Sequence, residues 1–276
     1  MEQFKIRASA AHEIMAGTIG LTENQEKILS EYTDRENGIG KPLTDKMKSE
    51  LLDLKNKKNN PELPQGAKTY CKKWLKNRLF GRREDINSKY IRKGNECEED
   101  GFTVICLQLD LGMVKKNTER RSNEYTEGEC DLFLNKTVFD NKCSWSLDTF
   151  PMFENECQDQ KYEDQLNVYA WLWDAEKMTL CYTLIDAPYE MVSDAIKWEN
   201  DPDKKYKIAE RMIYTEKYFN EIKEEFFQNS TRNTFIEIPE EKRIKTFNFI
   251  PDLNFRKDLK LRVKLCRTYI NSLLNK

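Results

Sequence analysis

A short segment in the middle of the chain constrains its fold more than any other stretch. Residues 125–145 read YTEGECDLFLNKTVFDNKCSW, with two apolar runs on either side of Asn135-Lys136. Such runs around a two-residue polar turn predict a β-hairpin. Side chains of a strand alternate between its faces, so Asp140 and Lys142 share one face of the second strand. A tight turn would bring Asp131 of the first strand close to Asp140, and the two carboxylates and one ammonium would form a single patch.

Two interpretations of that patch stay open from the hairpin alone. Asp and Lys are common on exposed strands, so a D-x-K pair fits a cross-strand salt bridge on a solvated face. The same three groups also fit a site that holds a cation or a phosphate. Only residues elsewhere in the chain can decide between a surface ion pair and a functional site.

Composition limits the class of protein. The chain has 276 residues, a formal net charge of −2, 34% charged and 11% aromatic residues. This aromatic content is too high for a disordered protein, and the length allows a large core. The sequence contains no apolar run of 18 residues, and its N-terminus lacks the apolar core of a signal peptide. We therefore expect a cytoplasmic protein that does not cross a membrane.

The counts of histidine and cysteine narrow the chemistry. His12 is the only histidine, which argues against histidine-based triads and zinc proteases. The eight cysteines form no C-x-x-C pair, so the sequence predicts no zinc site and no iron–sulfur cluster. A hydrolase of this composition must use carboxylates, lysine, tyrosine or a hard metal ion held by oxygen ligands.

Hydrophobic periodicity predicts a mixed α/β (α+β) protein with helices before, between and after the strands. Capping residues predict helices from Thr22 and from Thr44. The later elements predicted by pattern are a long helix over 87–110, a helix over 163–173, a strand over 178–186, a helix over 188–198, a helix over 203–227, extended segments over 234–238 and 243–249, and a helix over 253–274. Gly94 and Gly101 fall inside the first of these, where glycine predicts close approach by another backbone or a ligand.

Chain order places four further side chains on the elements around the hairpin. The predicted long helix carries Glu98, and the helix after the hairpin carries Gln165 and Tyr169, one turn apart on one face. Three carboxylates, from Glu98, Asp131 and Asp140, are enough to hold one or two Mg²⁺ ions that activate a phosphodiester. Lys142 would then orient or help deprotonate the attacking water, or offset charge on the phosphate.

This order of residues resembles the PD-(D/E)XK nuclease superfamily, and within it the branch of lambda exonuclease and the YqaJ-like viral recombinases. Residues 92–98, RKGNECE, are similar to that branch's R-G-x-x-x-E helix, and GECD at 128–131 to its G-T-P-D strand. DNKC at 140–143 is similar to E-I-K-C, and Gln165 to Tyr169 to its Q-x-x-x-Y helix. Cys130 stands where that branch has proline, and Asn141 where it has an apolar residue.

The resemblance implies a role for each matched residue. The implied catalytic residues are Glu98, Asp131, Asp140, Lys142 and Gln165. The implied metal ligands are Glu98, Asp131, Asp140 and the carbonyl of Asn141. The implied DNA contacts are Arg7, Ser9, Arg92, Ser144, Trp145 and Tyr169, with Ser9 in a segment similar to the one that binds a 5′ phosphate. A simpler alternative for Gln165 and Tyr169 is that they bond only to each other within a packed helix face.

The resemblance also implies a fold and an activity. We expect a restriction-endonuclease-like core, a mixed central sheet flanked by helices, in a single nuclease domain over 1–276. Its parts would be an N-terminal helical part (1–85), a catalytic core (86–190) and a C-terminal helical and β extension (191–276). The expected activity is a Mg²⁺-dependent exonuclease, with Mn²⁺ as a substitute, acting at double-stranded DNA ends in recombination or replication. The alternatives are an endonuclease or resolvase of the same fold, and a module on this fold that binds DNA or protein without cleavage. Implied partners are a single-strand annealing protein and further copies of the chain in a ring trimer.

Overall fold

A computed structural model describes residues 3–82, 88–232 and 234–275 of the protein. The helices within this part are α1 (Ala11–Met15), α2 (Glu23–Glu36), α3 (Asp45–Asn59), α4 (Gln65–Phe80), α5 (Lys89–Glu96), α6 (Glu98–Gln108), α7 (Gln160–Trp173), α8 (Tyr189–Ile196), α9 (Pro202–Glu210), α10 (Glu216–Phe226) and α11 (Leu253–Leu274). The strands are β1 (Ile6–Arg7), β2 (Arg121–Ser122), β3 (Thr126–Gly128), β4 (Leu132–Leu134), β5 (Thr137–Cys143), β6 (Lys177–Thr183) and β7 (Ile244–Phe249). Single 3-10 turns cover Ala8–Ala10, Leu147–Thr149 and Glu240–Lys242.

The chain divides into two compact units. One unit contains β1, α1 to α4 and α11, and the other contains α5 to α10 and β4 to β7. In the first unit, Thr22 and Thr44 cap α2 and α3 as predicted, each accepting a backbone hydrogen bond through its hydroxyl. Arg262 of α11 is buried in the same unit and donates to the carbonyls of Ile14 and Gly17, which ties α11 to the end of α1 and to the segment after it.

A mixed four-stranded sheet lies at the centre of the second unit, in the order β4-β5-β6-β7. β4 and β5 form the predicted antiparallel hairpin, β5 and β6 are parallel, and β6 and β7 are antiparallel. Parallel neighbours need a crossover connection, and α7 supplies it between β5 and β6. The predicted fold class, a mixed α/β protein with a central mixed sheet, is confirmed.

Helices cover both faces of this sheet. Gln165 of α7 contacts Asp140, whereas Gly101 of α6 approaches Asn141, and adjacent residues of a strand point to opposite faces. α7 and α6 therefore pack on opposite sides of β5. The central strand β6 is covered on both faces, so that Met178, Leu180 and Cys181 are all fully buried.

Three predicted elements differ from the structure. The helix predicted over 87–110 is two helices, α5 and α6, separated at Cys97, and its predicted start at 87 lies outside the described residues. The helix predicted over 203–227 is also two, α9 and α10, because the carboxylate of Asp186 accepts the backbone N–H groups of Tyr214 and Thr215 and holds that segment as a loop. No strand forms over the described part of 234–238, where Ile238 donates instead to the carbonyl of Tyr214.

No helix of the described residues is both long and apolar enough to cross a membrane. The single domain over 1–276, with its internal boundaries at 85/86 and 190/191, stays a prediction.

Candidate active site

The turn of the β4–β5 hairpin sets the register that brings two carboxylates together. Asn135 and Lys136 both adopt left-handed backbone conformations, with φ of 47° and 59°, as a two-residue hairpin turn of this type requires. Leu132 pairs with Phe139, and the same register continued by one residue sets Asp131 opposite Asp140. Asp131 itself lies just before β4, and its Oδ2 accepts the backbone N–H of Asn141 at 2.6 Å.

Asp140 is the centre of the polar contacts on the α7 face of β5. Its side chain is buried, and its Oδ1 accepts a hydrogen bond from Gln165 Nε2 at 3.2 Å. Its Oδ2 lies 2.6 Å from Lys142 Nζ. Apart from this ion pair, the buried Oδ2 has no hydrogen-bond partner among the described residues. A buried carboxylate oxygen with unused lone pairs is a ready ligand for a cation.

The pKa of Asp131 reports the same crowding of negative charge. Burial, the neighbouring charge of Asp140 and the more distant charge of Glu98 raise the pKa of Asp131 to about 7, although the N–H of Asn141 opposes the shift. A cation between Asp131 and Asp140 would remove this penalty, because it favours the ionised form of both. The donor set and its electrostatics therefore fit a hard divalent metal ion.

Lys142 keeps its proton in this environment. Burial alone would lower the pKa of Lys142, but the carboxylate of Asp140 beside it outweighs burial, and the pKa is raised. The ammonium also lies 5.0 Å from the centre of the Tyr162 ring, at a cation–π distance. Lys142 is thus a positioned cation at the edge of the two carboxylates.

Gln165 links the carboxylate to a second buried group on α7. Its Nε2 donates to Asp140 and also to the hydroxyl of Tyr169 at 2.8 Å. Both side chains are buried. Gln165 and Tyr169 do bond to each other, as the simpler alternative stated. They do not bond only to each other, because the same amide nitrogen of Gln165 also donates to Asp140.

Glu98 is the first residue of α6, next to the break at Cys97, and lies on the periphery of the group. Its carboxylate forms an ion pair with Lys116 at 2.8 Å and is about half exposed. Among the described residues, no three His, Cys, Asp or Glu side chains are close enough to form a ready-made metal cage. Asp131 and Asp140 are therefore already side by side, whereas the carboxylate of Glu98 is nearby but paired with Lys116.

The side chain of Asn141 points to the other face of β5, as the alternation of a strand requires. Its Oδ1 accepts the hydroxyl of Thr183 at 2.9 Å. A Cβ placed on Gly101 would clash with Asn141 Nδ2 and would lie 2.8 Å from Thr183 Oγ1. At Gly101 the predicted close approach is made by a polar side chain of the sheet. Gly94, in contrast, has nothing within 4 Å of its own Cβ position.

The predicted DNA contacts fall into separate places. Ser144 and Trp145 follow β5 directly, and the hydroxyl of Ser144 is buried without a hydrogen-bond partner among the described residues. Arg92 on α5 forms ion pairs with Glu96 at 2.7 Å and Asp194 at 3.5 Å. Arg7 and Ser9 lie in the first unit, on β1 and the 3-10 turn after it, and both are exposed.

Two residues at the site were not found from the sequence. Tyr162 precedes Gln165 by three positions, so helical spacing places both on one face of α7 and could have indicated it. Lys116, the partner of Glu98, lies in an irregular polar segment and carries no such signal.

Comparison with known proteins gives matches only at the level of structure. No protein-family model and no curated protein matches the sequence. A crystal structure of a phage-related exonuclease from Haemophilus somnus 129PT is 25% identical, with a TM-score of 0.67 over 99% of this chain and 96% of that one.

Two structures of an alkaline exonuclease from Laribacter hongkongensis are more distant. The first is 8% identical with a TM-score of 0.54, and the second, which contains dAMP, is 9% identical with a TM-score of 0.52. Each covers 98% of this chain and 90% of its own. At this level of identity the likeness concerns the fold, and it agrees with the fold of the Haemophilus match.

Proposed function

We propose that this chain is a nuclease of the lambda exonuclease-like branch of the PD-(D/E)XK fold, and that it hydrolyses DNA from double-stranded ends with the help of a divalent metal ion. The observation that carries the proposal is the buried Asp140, which contacts Lys142 and Gln165 and faces Asp131 across the hairpin. A binding module has no need for a paired, partly unsatisfied carboxylate held beside a protonated lysine.

Asp131, Asp140 and the backbone carbonyl of Asn141 would hold the metal ion, and Glu98 would join them by leaving Lys116. When bound, Mg²⁺ or Mn²⁺ supplies Lewis-acid activation of the attacking water and of the leaving oxygen. Hydrolysis adds the water oxygen to phosphorus and breaks one P–O bond, and the leaving oxygen takes a proton.

The side chains around the carboxylates would position the water, the metal ligands and the DNA strand. Lys142, held beside Asp140, would orient or help deprotonate the attacking water, or offset charge on the phosphate. Gln165 holds Asp140 in place through one N–H and is itself held by Tyr169 through the other. Ser144 and Trp145 lie where β5 ends, one and two residues past the strand, and would contact the strand being cut.

The experiment that tests the proposal compares DNA forms. Purified protein is incubated with linear and closed circular duplexes, with and without a 5′ phosphate, in Mg²⁺, in Mn²⁺ and in EDTA. We expect loss of the linear form only, dependence on the metal ion and a preference for the 5′-phosphorylated end.

Other outcomes point to the alternatives. Cleavage of the closed circle would favour an endonuclease or resolvase. Binding without cleavage in either metal, together with no increase in melting temperature on adding Mg²⁺ or Mn²⁺, would favour a module that grips DNA without cutting.

The broader setting follows from the same resemblance. We propose that the single strand left by the reaction passes to an annealing protein during recombination or replication, and that copies of the chain assemble as a ring trimer. Size-exclusion chromatography with light scattering tests the trimer directly. The cytoplasmic location predicted from the sequence stays a prediction.

A further inference from the structure

An aromatic surface with a lysine over it lies beside the end of β5. Tyr90 and Trp145 meet edge to face, with ring centres 5.0 Å apart. The ammonium of Lys89 lies 4.9 Å from the centre of the Trp145 ring and 5.3 Å from that of Tyr90. Tyr90 is 57% exposed, which is unusual for a large aromatic side chain with an ordered partner.

This surface, formed by Lys89, Tyr90 and Trp145, is held rigidly from beneath. Lys93 of α5 is fully buried, and its ammonium donates to the carbonyl of Trp145 at 3.0 Å. The indole also packs against the apolar cluster of α8 to α10. Ser88 caps α5 at its start, and its hydroxyl accepts the N–H of Ile91. The exposed part of the surface therefore rests on a buried hydrogen bond and on an apolar cluster.

Its position relates it to the candidate active site. Trp145 follows Lys142 by three residues, and a strand advances by about 3.3 Å per residue, so the two are at most about 10 Å apart along the chain. One strand of DNA advances about 3.4 Å per nucleotide when its bases are stacked. The surface is therefore within about three nucleotides of the phosphate that Lys142 would contact.

We propose that Lys89, Tyr90 and Trp145 form a stacking platform for the unpaired bases of a single DNA strand next to the site of cleavage. The proposal rests on the proposed nuclease function and extends it to a new pair of residues, Lys89 and Tyr90. Aromatic faces accept any base, while the lysine attracts the phosphate backbone. Bases inside a duplex present no free faces, so the platform selects single strands.

The test measures binding of a fluorescent oligothymidylate to the full-length protein by anisotropy in EDTA, where no hydrolysis occurs. We expect Tyr90→Ala to weaken binding about 5- to 150-fold, as loss of one base stack does, and Tyr90→Phe to keep it within about twofold. Lys89→Ala should reduce the salt dependence of binding by about 0.7 in the slope of log K against log salt. Binding to a blunt duplex should be unchanged in Tyr90→Ala.

Trp198→Ala is the matched control, since Trp198 is 86% exposed and carries Lys197 at 5.7 Å from its ring centre. Tyr90 carries the test because its ring is exposed, whereas replacing Trp145 would also disturb the packing of α8 to α10. Oligothymidylate binding that is as tight in Tyr90→Ala as in the parent protein would overturn the platform. So would a loss of oligothymidylate binding in Trp198→Ala as large as that in Tyr90→Ala, or a loss of duplex binding in Tyr90→Ala as large as its loss of oligothymidylate binding.

These outcomes separate the platform from the nuclease. If the parent protein cuts linear DNA and the Tyr90→Ala variant binds the oligonucleotide as tightly as the parent, the platform alone is refuted. If the parent protein cuts no DNA but binds the oligonucleotide, and Tyr90→Ala weakens that binding, the proposed function is refuted and the platform is supported.

Discussion

The two faces of β5 carry similar numbers of polar side chains but use them differently. On the α7 face, Asp140 and Lys142 are charged, and the contacts converge on one carboxylate whose buried Oδ2 has the Lys142 ion pair and no other hydrogen-bond partner among the described residues. On the α6 face, Asn141 is neutral, and its oxygen bonds to Thr183 while its amide fits over Gly101. A neutral pair that satisfies itself stabilises packing, whereas charges held close together with lone pairs to spare create a binding site. Four substitutions test whether this division of roles is real.

Asp140→Asn removes the charge at the centre of the α7 face with little change in shape. We expect cleavage of linear duplex to fall by about 100- to 1,000-fold, because the substitution takes away both a metal ligand and the partner of Lys142. Single-turnover kinetics in Mg²⁺ measures the loss, and circular dichroism checks that the helices are kept. Activity within twofold of the parent would mean that Asp140 has no catalytic role.

Gly101→Ala places a methyl group against the α6 face, and Gly94→Ala is its matched control. The new Cβ would meet Asn141 and Thr183, and Thr183 is fully buried, so we expect a loss of about 1–3 kcal/mol in the free energy of unfolding. At Gly94 the added methyl meets nothing, and the gain in helix propensity should stabilise by up to about 1 kcal/mol. Urea denaturation measures both.

A double variant tells whether the clash is the cause of the loss at Gly101. Asn141→Ala in the Gly101→Ala background keeps the backbone carbonyl of residue 141 and removes the amide that the methyl would meet. Part of the lost free energy should return. If none does, the contact between α6 and Asn141 is not what requires glycine.

Tyr169→Phe removes a single hydroxyl on the α7 face. Gln165 then loses one of its two hydrogen bonds and holds Asp140 less firmly. We expect a fall of about 10-fold in the rate of cleavage, as for other residues that orient a ligand, with unfolding free energy lower by about 1 kcal/mol. A shift in the Mg²⁺ concentration needed for half-maximal activity would distinguish positioning of Asp140 from a purely structural role.

Thr183→Val removes a single hydroxyl on the α6 face and has the smallest expected effect on function. It deletes the hydrogen bond to Asn141 and should lower the unfolding free energy by about 1 kcal/mol. Cleavage should stay within about twofold of the parent at a temperature where both are folded. A loss of cleavage as large as that of Tyr169→Phe would contradict the division between the two faces.

The hairpin and its charged patch were predictable because their determinants are local. Alternation of side chains on a strand and a two-residue turn at Asn135-Lys136 are enough to set Asp131 opposite Asp140. Helical spacing of apolar residues likewise predicted the helix that carries Gln165. Whether the predicted residues perform catalysis stays a prediction, since the structure reports only where they lie.

The missed features depend on distant parts of the chain. The loop between α9 and α10 exists because Asp186, more than twenty residues upstream, accepts its backbone N–H groups. Gly94 and Gly101 look alike in the sequence, and only the packing of Asn141 distinguishes them. Hydrophobic periodicity predicts helices and strands, but it does not predict which polar group from a distant part of the chain will contact them.

The crossover from β5 through α7 to β6 has a consequence for how such a protein changes over time. Asp140, Lys142, Gln165, Tyr169 and Thr183 all belong to this one contiguous β-α-β segment. Chain outside the segment can therefore be lengthened, shortened or rewritten without moving these side chains relative to one another. A heritable unit of this kind lets a lineage alter the surrounding chain while it keeps Asp140, Lys142 and Gln165 together, whereas Asp131 and Glu98 lie outside it and must be kept separately.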